Sequence, residues 1–234
     1  MRFFVEKRFA VAAGVVVVYV MIFAWYFLAG KNKETDEGSK VAACSSMSTY
    51  EQVIAITFDD GPRYKTTTKL LDGLAERNVQ ATFFLVGKNA EVCPEVVERM
   101  YEEGHLIGNH TYSHVQLTNV NLDKACEEIT KTNEIIYEIT GYCPQYIRSP
   151  YGSYTSELEC GINMTNVLWD IDPKDWNTTD VAAIVKNVVD NAEDGDIILM
   201  HDIYDTSVTA ALEIIDCLKE KGFEFVTVDE ILIE

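Results

Sequence analysis

An α/β fold with a parallel sheet is what this sequence predicts. It reads as a small, incomplete (β/α) barrel, with an open doubly wound sheet as the alternative. From Val53 onward, short runs of apolar and β-branched residues alternate with longer stretches of helical spacing. About seven such units fit into roughly 180 residues. Polar residues suited to chemistry stand directly after several of the apolar runs, where ligands bind in such sheets and barrels.

The elements follow in order. Phe9 to Gly30 contains no charged residue, and as a helix it would span roughly 33 Å, enough for a bilayer's hydrocarbon core. Trp25 and Tyr26 stand near its far end, as interfacial rings do. The segment reads as an uncleaved anchor. A cleaved signal peptide and a buried core helix are the alternatives, but Leu28 occupies the first small position of the nearest cleavage-type site, Leu28-Ala29-Gly30. Arg2, Lys7 and Arg8 before the run balance Lys31, Lys33 and Lys40 after it. A short head and a long acidic body fit a single-pass signal-anchor with the body outside the cell membrane, or secreted if the segment is cleaved. The domain reading is therefore a head and anchor over 1–30, a polar juxtamembrane linker over 31–50 and a catalytic body over 51–234.

Within the body, strands are expected at Val53–Phe58, Thr82–Val86, Leu106–Asn109, Tyr146–Arg148, Val167–Trp169, Ile197–Met200 and Glu224–Thr227. Helices are expected at Thr66–Arg77, Leu122–Thr140, Val181–Val189 and Val208–Leu218. The first carries Leu70, Leu71 and Leu74 on one side. At 234 residues, 47% hydrophobic and 24% charged, the chain can bury a full core and is not a disordered polymer. Its net charge of −19 argues against a nucleic-acid partner, since affinity there comes from basic side chains. No Gly-rich phosphate loop supports a nucleotide cofactor. The six cysteines show no Cys-x-x-Cys pair, and their spacing is compatible with disulfides or free thiols.

The strand ends carry the candidate site. The first runs into Asp59-Asp60-Gly61-Pro62, two adjacent carboxylates whose repulsion a metal or an arginine would offset; alone it also reads as a solvated Asp-Gly turn. The third runs into His110 and His114, spaced to reach one metal, or else two surface histidines. Two histidines and one carboxylate leave a coordination position open for water. Arg148, after the fourth strand, can hold a carboxylate. Asp172 to Trp176 follow the fifth strand and His201 ends the sixth, whereas His105, at the start of the third, reads as structural.

Taken together these segments resemble the polysaccharide deacetylases, the NodB-homology fold of carbohydrate esterase family four. All five motifs stand in order: Thr57–Pro62, His110–His114, Arg148–Tyr151, Asp172–Trp176 and Leu199-Met200-His201. The resemblance covers about residues 50–230 and implies a distorted seven-stranded (β/α) barrel. It implies Asp59 as general base and Asp60, His110 and His114 as ligands of a divalent metal, usually zinc. Arg148 is expected to hold Asp59, and the backbone N–H of Tyr151 to stabilise an oxyanion. Asp175 is expected to orient His201 as general acid, while Trp176 and Leu199 shape the acetyl pocket. The implied reaction is removal of N-acetyl groups from a cell-wall polysaccharide, with peptidoglycan N-acetylglucosamine favoured. Chitin, chitooligosaccharide, N-acetylmuramic acid and a non-catalytic carbohydrate-binding role are the alternatives.

Overall fold

A computed structural model describes residues 52–153 and 164–232. The expected anchor and linker lie outside the described residues. Among the described residues no helix is long and apolar enough to cross a membrane.

The architecture is built on β1, Gln52–Asp59, whose last six residues are buried. Around it stand β2 (Thr82–Leu85), β3 (Leu106–Asn109), β4 (Tyr146–Ile147), β5 (Thr165–Asn166), β6 (Ile197–His201) and β7 (Phe223–Phe225). The helices are α1 (Tyr64–Arg77), α2 (Gly87–Val92), α3 (Pro94–Glu102), α4 (Leu122–Thr140), α5 (Val181–Asn191), α6 (Asp205–Glu220) and α7 (Val228–Leu232). Their ends follow local chemistry. The Asn121 side chain accepts the Lys124 N–H at 2.9 Å to start α4, and Gly141, at φ 72°, ends it. Asp180 caps α5 in the same way through Ala183.

Every strand pair is parallel, in the order β5-β4-β3-β2-β1-β6, with β7 against the first residues of β1. The order runs from β1 to β5 without reversal, which excludes the doubly wound alternative. The sheet curls until the segment after β5 meets β6 in a single bridge, Ile171 to Ile198. The result is a curled half-barrel, in which one bridge takes the place of a complete last ladder.

Two expected strands are displaced. The fifth pairs at Thr165–Asn166 instead of Val167–Trp169, because the carbonyls of Val167 and Leu168 accept from the Arg148 side chain at 3.2 and 3.0 Å. The seventh ends at Phe225, because Thr227 opens α7: its N–H donates to Glu230 at 2.8 Å.

The period-2 alternation of the strands separates packing from chemistry. Ile54, Ile56 and Phe58 join Phe83, Leu70, Leu74, Ile214 and Ile215 in the core between sheet and helices. Phe58 stacks on Phe83 with ring centroids 5.3 Å apart, and burying each such ring is worth about 1.5–3 kcal/mol. Ala55 packs in a second cluster with Phe84, Val167 and Ile197. Thr57 and Asp59 share its side of β1, and Leu199 and His201 share that of Ile197 on β6.

Candidate active site

Register places the first groups. Asp59 is the Cα partner of His201, and Thr57 of Leu199, so both pairs sit at the C-terminal ends of neighbouring strands. Arg148 leaves β4 and reaches across the interior, fully buried. Its Nη1 donates to Thr57 Oγ1 at 2.6 Å and to Asp59 Oδ1 at 2.9 Å. The Thr57 hydroxyl in turn donates to the Ile198 carbonyl at 2.7 Å. Burial pulls the Arg148 pKa below its ordinary value despite the Asp59 charge, yet a guanidinium starts so high that it stays charged.

Asp60, His110 and His114 converge beside Asp59. One ligand atom from each lies within 4.8 Å of the others. His110 Nδ1 donates to the Arg148 carbonyl at 2.5 Å, which leaves Nε2 free to face Asp60 Oδ1 at 3.5 Å and Asp59 Oδ2 at 3.8 Å. His114 Nε2 lies 3.1 Å from the same Asp60 oxygen but out of hydrogen-bond alignment, so that buried oxygen has no donor. Burial raises the Asp60 pKa, and the adjacent His114, with the charges of His110 and His201, more than reverses this. Burial lowers the His110 pKa, favouring the neutral imidazole that a metal needs. An orphaned carboxylate oxygen and two imidazoles with free Nε2 atoms fit a divalent cation.

These loops are strained where they carry chemistry. Among the described residues, five of the six non-glycine residues with positive φ are Asp60, Thr111, His114, Tyr151 and Lys174, all in loops after strands of the site. Such conformations cost about 1–3 kcal/mol each and persist only when the surroundings impose them. Gly61 is needed for close approach, since a Cβ there would meet the buried Asp202 carboxyl at 2.4 Å. Burial lifts that carboxyl's pKa to about 7.

His201 receives both oxygens of Asp175. Its ring Nδ1 donates to Oδ1 at 2.8 Å and its backbone N–H to Oδ2 at 2.9 Å. Burial opposes the imidazolium, but the Asp175 hydrogen bond and charge, with Asp59 and Asp60, lift its pKa to about 9.

Together these groups open into a cleft of about 360 Å³ lined by Asp59, Asp60, His110, His114, Tyr151, Trp176, Leu199 and His201. Arg148 and Asp175 stand behind this lining, buried. Every expected site residue is thus in the wall of the cleft or bonded to it.

A family model described as polysaccharide deacetylase matches residues 46–165. The chain belongs to the polysaccharide deacetylase family. It is 44% identical over 181 residues to the peptidoglycan-N-acetylmuramic acid deacetylase PdaC of Bacillus subtilis, covering 77% of this chain and 39% of that protein. It is 45% identical over 181 residues to a peptidoglycan-N-acetylglucosamine deacetylase of Bacillus cereus, covering 74% and 66%. The chain therefore spans less than two thirds of the length of either relative. A solved structure of Bacillus subtilis PdaC superposes with a TM-score of 0.76 at 43% identity, covering 79% of this chain and 91% of that one.

The cleft also contains residues given no role by the sequence reading: Ser149, Trp169, Asp172 and Tyr204. Asp172 stood inside a quoted motif, and Trp169 ended an expected strand. Tyr204 carried no signal beyond following His201 by three positions. Thr57 had no assigned role because its contact with Arg148 is between residues 91 positions apart. A larger hollow of about 520 Å³ lies at the opposite, N-terminal ends of β2 and β3 and holds none of this constellation. His105 lines it as a structural histidine, as expected. Its Nδ1 accepts the Ala81 N–H at 3.1 Å, and burial lowers its pKa to about 4.

The His201 pKa stands above its ordinary 6.5, so the stabilisation from its pairing is fully present below about pH 6.5 and fades as pH rises through about 9. Asp175→Asn removes the lifting charge. NMR titration of the His201 ring in metal-free protein should then give a pKa at or below 6.5, and a value still near 9 would assign the lift elsewhere.

Proposed function

We propose that this protein hydrolyses N-acetyl groups from the amino sugars of peptidoglycan, N-acetylglucosamine first, releasing acetate and leaving a free amine. One observation carries the reading: a carboxylate fixed by a buried arginine, a two-histidine-one-carboxylate cluster and a high-pKa histidine share one cleft. Amide hydrolysis needs these parts, because water must be made nucleophilic and the departing nitrogen must be protonated.

Asp59, immobilised by Arg148, takes the proton from the attacking water. Asp60, His110 and His114 would hold a divalent cation, zinc in this reading, which would supply Lewis acidity toward the acetamide and water. The Tyr151 N–H donates to the developing oxyanion. His201, kept cationic by Asp175, gives its proton to the leaving nitrogen. Trp176 and Leu199 enclose the acetyl methyl group. N-Acetylmuramic acid is the second reading of the substrate, supported by the activity named for PdaC.

In the same reading the apolar run Phe9–Gly30 anchors the chain in the cell membrane with its catalytic body outside. The linker of about twenty residues gives a flexible reach of roughly 25 Å toward nearby wall polymer.

Acetate release from purified peptidoglycan and from chitooligosaccharide, with zinc and with chelator, tests the activity. The expected result is chelator-sensitive release, strongest on peptidoglycan and reduced about 10²–10⁴-fold by Asp59→Asn. A folded, metal-loaded protein that binds these glycans without releasing acetate would overturn it. Cell fractionation tests the anchor: the full chain should sediment with membranes and a chain lacking residues 1–33 should not. A full chain found entirely in the soluble fraction would remove the anchor from the account.

A further inference from the structure

The loop His110–His114 must hold two imidazoles in line while Thr111 and His114 adopt positive φ, at 63° and 57°. Thr111 is β-branched, so this conformation is disfavoured unless the loop is gripped from outside. Helix α4 and the start of α2 supply the grip. At the near end, Asn109 Nδ2 donates to the Ile129 carbonyl at 2.9 Å and to Asn133 Oδ1 at 2.7 Å. In the middle, the N–H groups of Gly87 and Lys88 donate to the carbonyls of Thr111 and Tyr112, each at 2.9 Å. At the far end everything converges on one side chain. Glu128, only 2% exposed, accepts the Ser113 N–H at 2.7 Å and the Ser113 hydroxyl at 2.9 Å.

Ser113 is the residue immediately before His114. Its two donors meet two carboxylate oxygens of a side chain rooted in the middle of a 19-residue helix. A carboxylate is the side chain suited to this pair of donors, because it accepts through both oxygens. Truncation to alanine would leave both donors without this partner. Glu128 lines a shallow hollow with Tyr112, Ser113 and Lys124, outside the catalytic cleft, so it does not touch the reacting atoms.

We propose that Glu128 is a positioning residue for the metal centre, fixing through Ser113 the aim of the His114 imidazole at the ion shared with Asp60 and His110. The proposal rests on the reading of Asp60, His110 and His114 as metal ligands. It adds that the affinity of this centre is set in part by a carboxylate two steps removed from the ion. Groups that orient ligands in this way typically change metal affinity about 10–100-fold when removed.

The test measures zinc affinity of the full chain by competition with a chromophoric chelator. The Co²⁺ absorption spectrum reports ligand geometry beside it. The variants are Glu128→Ala, Ser113→Ala, the double variant, Lys124→Ala and His114→Ala. Glu128→Ala should weaken zinc binding about 10–100-fold and alter the Co²⁺ spectrum. Ser113→Ala, at an exposed position, should weaken it in the same direction without unfolding the chain. The double variant should be no worse than the weaker single, because both remove one interaction. Lys124→Ala, which removes only the ammonium 3.2 Å from Glu128, should leave the affinity unchanged. Zinc affinity within twofold of the unaltered chain in both folded single variants would overturn the proposal. If His114→Ala abolishes binding while those variants keep it, the metal reading stands and this inference alone falls. If the unaltered chain binds no zinc, both fall.

Discussion

The ion pair between Arg148 and Asp59 is the constraint on which the rest of the site depends. A guanidinium with no solvent exposure must satisfy its donors inside the protein, and it does so on two elements of the chain, β1 and the segment after β5. Its partners are Thr57 and Asp59 on β1 and the carbonyls of Val167 and Leu168, while its own carbonyl holds His110. One residue therefore spaces β1, β3, β4 and the segment after β5. It also breaks the fifth strand early, by taking carbonyls that a ladder would have used. Its ring neighbours Phe84 and Trp169, at 4.3 and 5.6 Å, enclose the charge without competing for its donors. Loss of either partner would leave an uncompensated buried charge, worth about 3–5 kcal/mol.

A second principle is the separation of two jobs along each strand. Outward residues of β1, β2 and β6 are apolar and carry the packing energy against the helices. Inward residues at the ends of the same strands are Thr57, Asp59, Leu199 and His201, and they line the cleft or bond to the groups behind it. The loops that follow hold positive-φ residues that are unfavourable in themselves. At the His110–His114 loop they are imposed by hydrogen bonds from α4 and the start of α2, which the core already fixes. Stability made on one face of the sheet thus sustains strain at its edge.

Much of this was legible in the sequence, and the reasons are physical. Short apolar and β-branched runs located most of the strands, and the polar residues at their ends, with the family resemblance, pointed to the residues that meet at the cleft. Asp59, Asp60, His110, His114, Arg148, Tyr151, Asp175, Trp176, Leu199 and His201 all come together at the cleft. What was not legible depended on contacts between distant parts of the chain. Thr57 gains its role from Arg148, 91 positions away, and Glu128 from Ser113, across a helix. Val167–Trp169 has the composition of a strand, but only the three-dimensional position of Arg148 shows why its carbonyls are diverted. Disulfide pairing was equally open from spacing. Cys126 is disulfide-bonded, whereas Cys93, Cys143 and Cys217 are free thiols.

The chemistry follows from placing opposite demands in one cleft. Asp59 is held by a cation and His201 by an anion, so the proton acceptor and proton donor of the proposed reaction face the same space without neutralising each other. In the proposed reading, a cation held by Asp60, His110 and His114 in the same cleft would give the pair its purpose. Anomalous diffraction at the zinc edge, on crystals of zinc-loaded protein, tests this claim most directly. The account predicts one peak about 2.0–2.2 Å from an Asp60 carboxylate oxygen and from the Nε2 atoms of His110 and His114. A zinc ion bound elsewhere, with those three side chains bonded only to one another, would contradict it.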